Sequence, residues 1–243
     1  MEIFKSKEKP VIEFISSFKF LKDIEDVTPK PAQKFIPEWW KNAPWDKDMD
    51  SEKYRPQSGY VKQCPMFPDL FSSGYILPMW ADTTLFVKND QWGWECGSLN
   101  SPFKIGIFSK DQFLNHSNYR FNGFNPSAIF QFHNPWEIKA TKGYSVFQLP
   151  LFYHFNNDFS VLPGTFDANT ASQNKLEVAY FGNEKEIFIK RGTPLVQYIP
   201  YKKEKIDYIV RDSNRDDEDN FLKNQAYKMT MFKNFYAQNR NRG

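Results

Sequence analysis

The sequence predicts a mainly β protein: a single β-barrel or sandwich with long loops, an N-terminal arm rich in proline and tryptophan, and a C-terminal helix. Three observations carry this expectation. Short runs of β-branched and aromatic residues recur between Pro, Gly and Asn turns, most densely from Ala128 to Ile199. Sustained helical periodicity occurs in one stretch near the C-terminus. The chain also holds 25 Phe, 12 Tyr and 7 Trp in 243 residues, and each buried ring removes roughly 150 to 250 Å² from water, so few side chains can fill a core. All-β architectures reach this length as one domain. The expected organisation is a strand and Pro/Trp arm over 1–58, a main β-domain over 59–203, and a charged linker with a helix over 204–243.

Taken in order, Val11 to Phe20 places Ile12, Phe14 and Phe20 on one parity and predicts a strand. Pro29, Pro31, Pro37 and Pro44 then punctuate the arm, and Pro37 suits the first residue of a short helix carrying Glu38, Trp39 and Trp40. Such an arm is expected to clamp onto its own domain or a neighbouring subunit. Tyr60 to Cys64, Ile76 to Met79 and Thr83 to Val87 predict short strands. Asn89 to Pro126 mixes Trp92, Trp94, Phe103, Phe108, Phe113 and Phe121 with Gly, Asn and Ser, which predicts long loops held down by aromatics.

Seven further strands are expected at Ala128–Phe132, Trp136–Ala140, Tyr144–Leu149, Phe159–Leu162, Leu176–Phe181, Glu186–Ile189 and Leu195–Ile199. A helix is expected from about Asn214 to Gln238, with Ser213 as N-cap and Asp216, Asp217, Glu218 and Asp219 in its first turns. Leu222, Ala226, Met229, Phe232 and Tyr236 would share one face of it.

Charge and motifs leave several functions unsupported. The formal net charge of +3 supplies no field that would draw the chain to nucleic acid or an acidic membrane. Cys64 and Cys96 form no CxxC pair, and free thiols in a reducing compartment are expected. No apolar leader and no run near ~20 apolar residues is present, so a location in the cytoplasm of whatever cell makes the protein is expected, with no membrane partner. His116, His133 and His154 lie 17 and 21 residues apart and none begins a His-x-Asp or His-x-Glu pair, which makes a cupin-like metal oxygenase a poor third reading. No metal site is expected. The acidic block 216–219 lacks the alternating ligands and central glycine of a calcium loop and reads as a solvated helix N-terminus.

The remaining signal lies between Trp136 and Pro200. The chain runs through Lys142-Gly143-Tyr144, Pro150, Pro163-Gly164-Thr165-Phe166-Asp167, a strand ending at Gly182-Asn183, and Gly192-Thr193-Pro194-Leu195-Val196-Gln197. In order and spacing this region, about a quarter of the chain, resembles the trimeric dUTPase and dCTP deaminase superfamily. That family has a β-clip domain with a Pro-x-Gly-Tyr turn, a Pro-Arg-Ser-Gly phosphate motif, a Gly-x-Ile-Asp hairpin and a Gly-Asp-Arg-Ile-Ala-Gln strand. The resemblance implies a β-clip fold and a homo-oligomer, with a trimer as the family's form. It makes Asp167 the hairpin aspartate that contacts the sugar and positions water, and Gln197 the glutamine of the last motif.

The departures bear on chemistry. Leu151 and Phe152 stand where the phosphate-binding Arg and Ser belong, and neither can neutralise a triphosphate. Thr170 replaces a sugar-stacking Tyr, Ala171, Ser172 and Gln173 replace Arg-Gly-Glu, and Pro194 replaces the Arg of the last motif. A simpler reading of Gly164 and Asp167 is a turn. A second similarity covers most of the chain: Pro31-Ala32, Ile36-Pro37-Glu38-Trp39, Lys62-Gln63-Cys64-Pro65, Gly74-Tyr75-Ile76, Asn134-Pro135-Trp136 and Gly143-Tyr144-Ser145 look like a family frequent in marine tailed phages, which implies a viral source.

The leading expectation is therefore a phage-encoded, non-catalytic β protein, oligomeric, with a structural role in the virion or a role in binding a host or phage macromolecule, and without a cofactor. The alternative is a nucleotide-binding or nucleotide-hydrolysing protein whose ligand sits around Asp167 and Gln197, with Tyr144, Tyr153 and Asn169 as neighbours and Mg²⁺ as companion ion.

Overall fold

The structure, a computed structural model, describes residues 12–43, 61–64, 66–88, 91–97, 104–108, 126–169, 175–182 and 185–223. The chain forms two compact units. The first comprises Met1–Ala43 and Met66–Lys203, and the second Pro44–Pro65 and Glu204–Gly243.

The first unit is mainly β, with its strands in four antiparallel sheets. The largest contains β2 (Lys30–Pro31), β3 (Tyr75–Pro78), β9 (Tyr144–Leu149), β11 (Gly164–Phe166) and β14 (Pro194–Lys202), in the order β11-β9-β14-β3-β2. A four-stranded sheet takes β6 (Ile105–Phe108), β7 (Ala128–His133), β10 (Phe159–Val161) and β12 (Lys175–Tyr180), in the order β10-β12-β7-β6. Strands β4 (Thr83–Lys88), β5 (Gln91–Cys96) and β13 (Ile187–Ile189) make a third sheet, and β1 (Ile12–Ser16) pairs with β8 (Trp136–Ala140) as the fourth. Among the described residues no sheet closes into a barrel.

The core follows from alternation along the central strands. Phe130 and Phe132 of β7, Leu176 and Val178 of β12, Val146 of β9, and Val196 and Tyr198 of β14 are fully buried. The N-terminal arm docks on the same unit. A short helix α1 (Glu38–Asn42) follows Pro37, and Trp40 stacks on Phe67 of a second helix, α2 (Met66–Ser72), with ring centroids 5.0 Å apart.

Two sequence expectations for strands and loops are corrected. Of the strand expected over Tyr60 to Cys64, the described part is not a strand, because Val61–Gln63 forms a 3-10 turn in which the Cys64 amide donates to the Val61 carbonyl at 3.1 Å. A run this short, stopped by a proline, satisfies its amides locally. The stretch after Asn89 is not all loop: β5 pairs with β4 from Thr83↔Cys96 to Lys88↔Gln91, and β6 pairs with β7. The two-residue Asn89-Asp90 connection between alternating runs is the hairpin signal for β5. Phe103, Phe113, Phe121 and His116 lie outside the described residues.

In the second unit residues 215–223 are helical. The N-cap is Asn214 in place of the expected Ser213. The Asn214 side-chain oxygen accepts from the Asp217 amide at 2.9 Å, and Asp217 accepts from the Asn214 amide at 3.0 Å, a reciprocal capping box. Of the predicted apolar face, Leu222 is described and is 63% exposed; Ala226, Met229, Phe232 and Tyr236 lie outside the described residues. No described helix is long and apolar enough to cross a membrane.

Candidate functional site

Asp167 sits just past the end of β11, at the corner where β11, β9 and β14 run side by side. Its carboxylate accepts from the Lys203 ammonium at 2.7 Å and from the Asn169 backbone amide at 3.0 Å and side-chain amide at 3.2 Å. The Asn169 side chain also donates to the Tyr144 carbonyl at 3.4 Å. Beside this corner the rings of Phe147 and Tyr201 stack at 4.2 Å, and the Tyr201 hydroxyl is 2.9 Å from the Thr165 hydroxyl. Asp167, Asn169 and the Tyr144 backbone carbonyl are therefore brought together.

These bonds set the chemistry of Asp167. The hydrogen bond from Lys203, then those from Asn169, hold its pKa down at about 2 from an ordinary 3.8. A carboxylate so stabilised is ionised at neutral pH and is a weak general base. The folded value lies below the unfolded one, so the stabilising contribution is complete above about pH 4 and is lost as pH falls through about 2. Urea titrations at pH 6 and at progressively lower pH are expected to show Asp167→Asn less stable than the parent at pH 6, with the difference vanishing as the carboxylate protonates.

Gln197 lies elsewhere on the same sheet. It pairs with Leu149 of β9, whereas Phe166 pairs with Val146. At about 3.3 Å per residue, the four positions from Ser145 to Leu149 put it about 13 Å along the strand from the level of Asp167. The side chain is only 4% exposed, and its amide donates to the carbonyls of Leu70 at 2.9 Å and Ser73 at 2.6 Å. It clasps the end of α2 to the sheet.

Tyr153 also lies apart from Asp167. Its ring packs on Phe67 with centroids 4.6 Å apart, and its carbonyl accepts from the Trp39 indole at 2.6 Å. Tyr153 and Phe155 both have positive φ, 64° and 51°, a conformation that costs side-chain-bearing residues free energy and persists when packing imposes it. Phe155 packs on Trp39 at 5.4 Å. His154, between them, lines a cleft of about 170 Å³ together with Leu151, Phe159, Ser160, Val161 and Leu195. Burial pushes the His154 pKa below its ordinary value, so the imidazole is neutral at pH 7.

The cleft was not legible beforehand, because Leu151 and Leu195 are far apart in sequence and nothing local says that they meet around His154. Lys203 was missed for a different reason. The last strand was expected to stop at Ile199, yet β14 runs to Lys202, and extending its alternation past Tyr201 brings Lys203 onto the face of Thr165 and Asp167. No group of three His, Cys, Asp or Glu close enough to hold a metal occurs among the described residues. In the acidic block of the second unit, Asp217 is paired with Arg211 and caps its helix.

The chain is similar to dUTPases of known structure. The EIAV dUTPase matches with 12% identity and a TM-score of 0.32, covering 59% of this chain and 86% of that one. A mutant dUTPase from phage phi11 of S. aureus matches with 8% identity and a TM-score of 0.29, covering 47% of this chain and 99% of that one. No family model and no curated protein matches the chain. Leu151 lines the cleft and Phe152 is 46% exposed. Thr170 to Gln173 lie outside the described residues.

Proposed function

We propose that the protein is a non-catalytic β protein of a tailed phage that acts by binding another macromolecule, as a virion component or on a host or phage protein. The observation that carries this reading is the segment after β14. Ile206, Tyr208, Ile209 and Val210 are 84%, 87%, 86% and 87% exposed. Single exposed apolar residues are ordinary, but four large ones within five positions mark an interaction surface. The weak basicity of Asp167, and Leu151 and Phe152 at the phosphate motif, support binding over hydrolysis.

The test is fractionation of infected cells carrying a tagged copy. Recovery of the protein in purified particles, or in a stable complex with a second macromolecule, is expected. Its absence from particles together with a monomeric, partner-free state in the lysate would overturn the reading.

A nucleotide-binding role at the Asp167 corner is the second reading, favoured by the convergence of Asp167, Asn169 and Tyr144 beside an aromatic stack. Mg²⁺ would accompany a triphosphate there. Deoxynucleoside triphosphates with Mg²⁺ would then raise the melting temperature, since a ligand at a hundred times its Kd adds about 2.7 kcal/mol. Asp167→Asn would abolish that rise.

A further inference from the structure

Strand β5 is the longest edge strand among the described residues, six residues against two to five for the others. Its ladder with β4 starts at Lys88↔Gln91 around a two-residue turn, which makes Lys88↔Gln91, Phe86↔Gly93 and Thr84↔Glu95 the hydrogen-bonded pairs. Trp92 and Trp94 therefore turn their amides and carbonyls away from β4, to the side on which no further described strand lies. Proteins blunt such an edge with proline, lysine, a bulge or a cover. Strand β5 carries neither proline nor lysine and its register is unbroken. Trp92 is 47% exposed, with Gln91 and Glu95 exposed on the same strand.

The side chains along this edge complement a copy of themselves. A Cβ on Gly93 would fall 2.2 Å from the Phe86 ring, so the glycine is the seat of that ring on the outer face of the hairpin. On the other face Trp94 packs against the core, and Trp92 continues its row toward solvent. We propose that β5 of one copy pairs antiparallel with β5 of a second copy, Gly93 of each lying at the two-fold axis, and so joins the two three-stranded sheets into one. In that register Trp92 stands opposite Trp94 of the second copy, and each outward amide of one strand meets an outward carbonyl of the other. The proposal does not rest on the binding role above, whose surface is the segment after β14.

Register and occupant follow from the same residues. Centring the pair on Gly93 aligns Gln91 with Glu95 of the second copy, so the single charge of the strand meets an amide donor. Centring it on Glu95 would oppose two carboxylates, and centring it on Trp94 would set each Glu95 against the ring seated on Gly93, whose π face repels an anion. Centring it on Trp92 would leave Trp94 opposite the turn. A self-pairing strand also supplies the second Phe86. The rings seated on the two Gly93 residues lie one strand spacing apart, about 4.8 Å, a separation at which aromatic rings attract. The large groups covered are Phe86, Trp92 and Trp94, at roughly 100 Å² each for half-burial. With the strand backbone this stays below about 600 Å² per partner, the low end for specific interfaces, which makes the dimer reversible and dependent on concentration.

Sedimentation velocity of the full-length chain over a concentration series tests the proposal. At high concentration the parent is expected to approach twice the mass it has on dilution. Trp92→Lys puts a charge opposite Trp94 of the second copy and is expected to keep the diluted mass throughout. Its melting temperature in dilute solution should match the parent's, because the Trp92 side chain is 47% exposed. Two variants of the exposed Gln91 read the register. Gln91→Lys sets an ion pair with Glu95 on each side of the axis and tightens the dimer roughly fivefold, and Gln91→Glu sets carboxylate against carboxylate and weakens it by about as much. A parent and a Trp92→Lys chain of equal mass at every concentration would overturn the proposal, as would Gln91 variants that move the dissociation constant in the same direction or leave it unchanged. Recovery in particles, which reads the binding role, is a separate result from any of these.

Discussion

Replacing Gln197 by leucine is expected to cost about 2 kcal/mol of folding stability. The side chain is buried in β14, and its amide satisfies two carbonyls at the end of α2, those of Leu70 and Ser73. Leucine has similar volume, so little packing is lost, but the Ser73 carbonyl loses the Gln197 donor, while the Leu70 carbonyl keeps the Ser73 amide at 3.2 Å. An acceptor left without a partner at a buried site costs roughly 1 to 3 kcal/mol. The measurement is urea unfolding at neutral pH, comparing parent and Gln197→Leu. A loss below about 1 kcal/mol, accompanied by the loss of a nucleotide-induced thermal shift, would return Gln197 to the ligand-binding role that the dUTPase resemblance implies.

A loss of comparable size is expected for Gly74→Ala. Gly74 has φ +68°, and a Cβ there would overlap the Tyr198 carbonyl oxygen and come within 3.0 Å of the Ile199 Cα. Both obstacles are backbone of the central strand β14, which cannot swing aside as a side chain can. The Gly74 carbonyl also accepts from the Ala32 amide at 3.0 Å, so a shift of the turn would disturb the docking of the N-terminal arm. Strain and clash together are expected to cost about 3 kcal/mol. Gly143 provides the control. Its φ is +88° with nothing within 4 Å of a Cβ, so Gly143→Ala carries the conformational cost alone, about 1 to 2 kcal/mol. Equal midpoints for the two variants in thermal or urea unfolding would show that the β14 backbone yields.

Alternation was enough to locate most strands of the first unit, from Ala128–His133 through Pro194–Lys202, because a strand buried on one or both faces must display its period in its own residues. Pro37 at the start of α1 and the corner formed by Asp167 with Asn169 are equally local, since a fixed φ and an Asx turn involve neighbours in the chain. The helix start at 214 was legible to within one residue. Ser213 and Asn214 are both competent caps, and the reciprocal bonds with Asp217 select Asn214.

By itself, then, the sequence determined the fold class, the positions of most strands and the docking-prone tryptophan arm. Only the tertiary structure decided which residues meet. It gave Asp167 the partner Lys203, turned the Gln197 amide toward α2, buried the Tyr153 ring against Phe67, and joined Leu151, His154 and Leu195 around one cleft. The physical reason is the range of the interactions. Strand period and turn chemistry act over two to five residues and leave their mark in adjacent letters. The partner of a buried amide or an exposed carboxylate is set by strand order and register, which bring together positions 36 to 127 residues apart and are decided by how the whole set of apolar faces is buried at once.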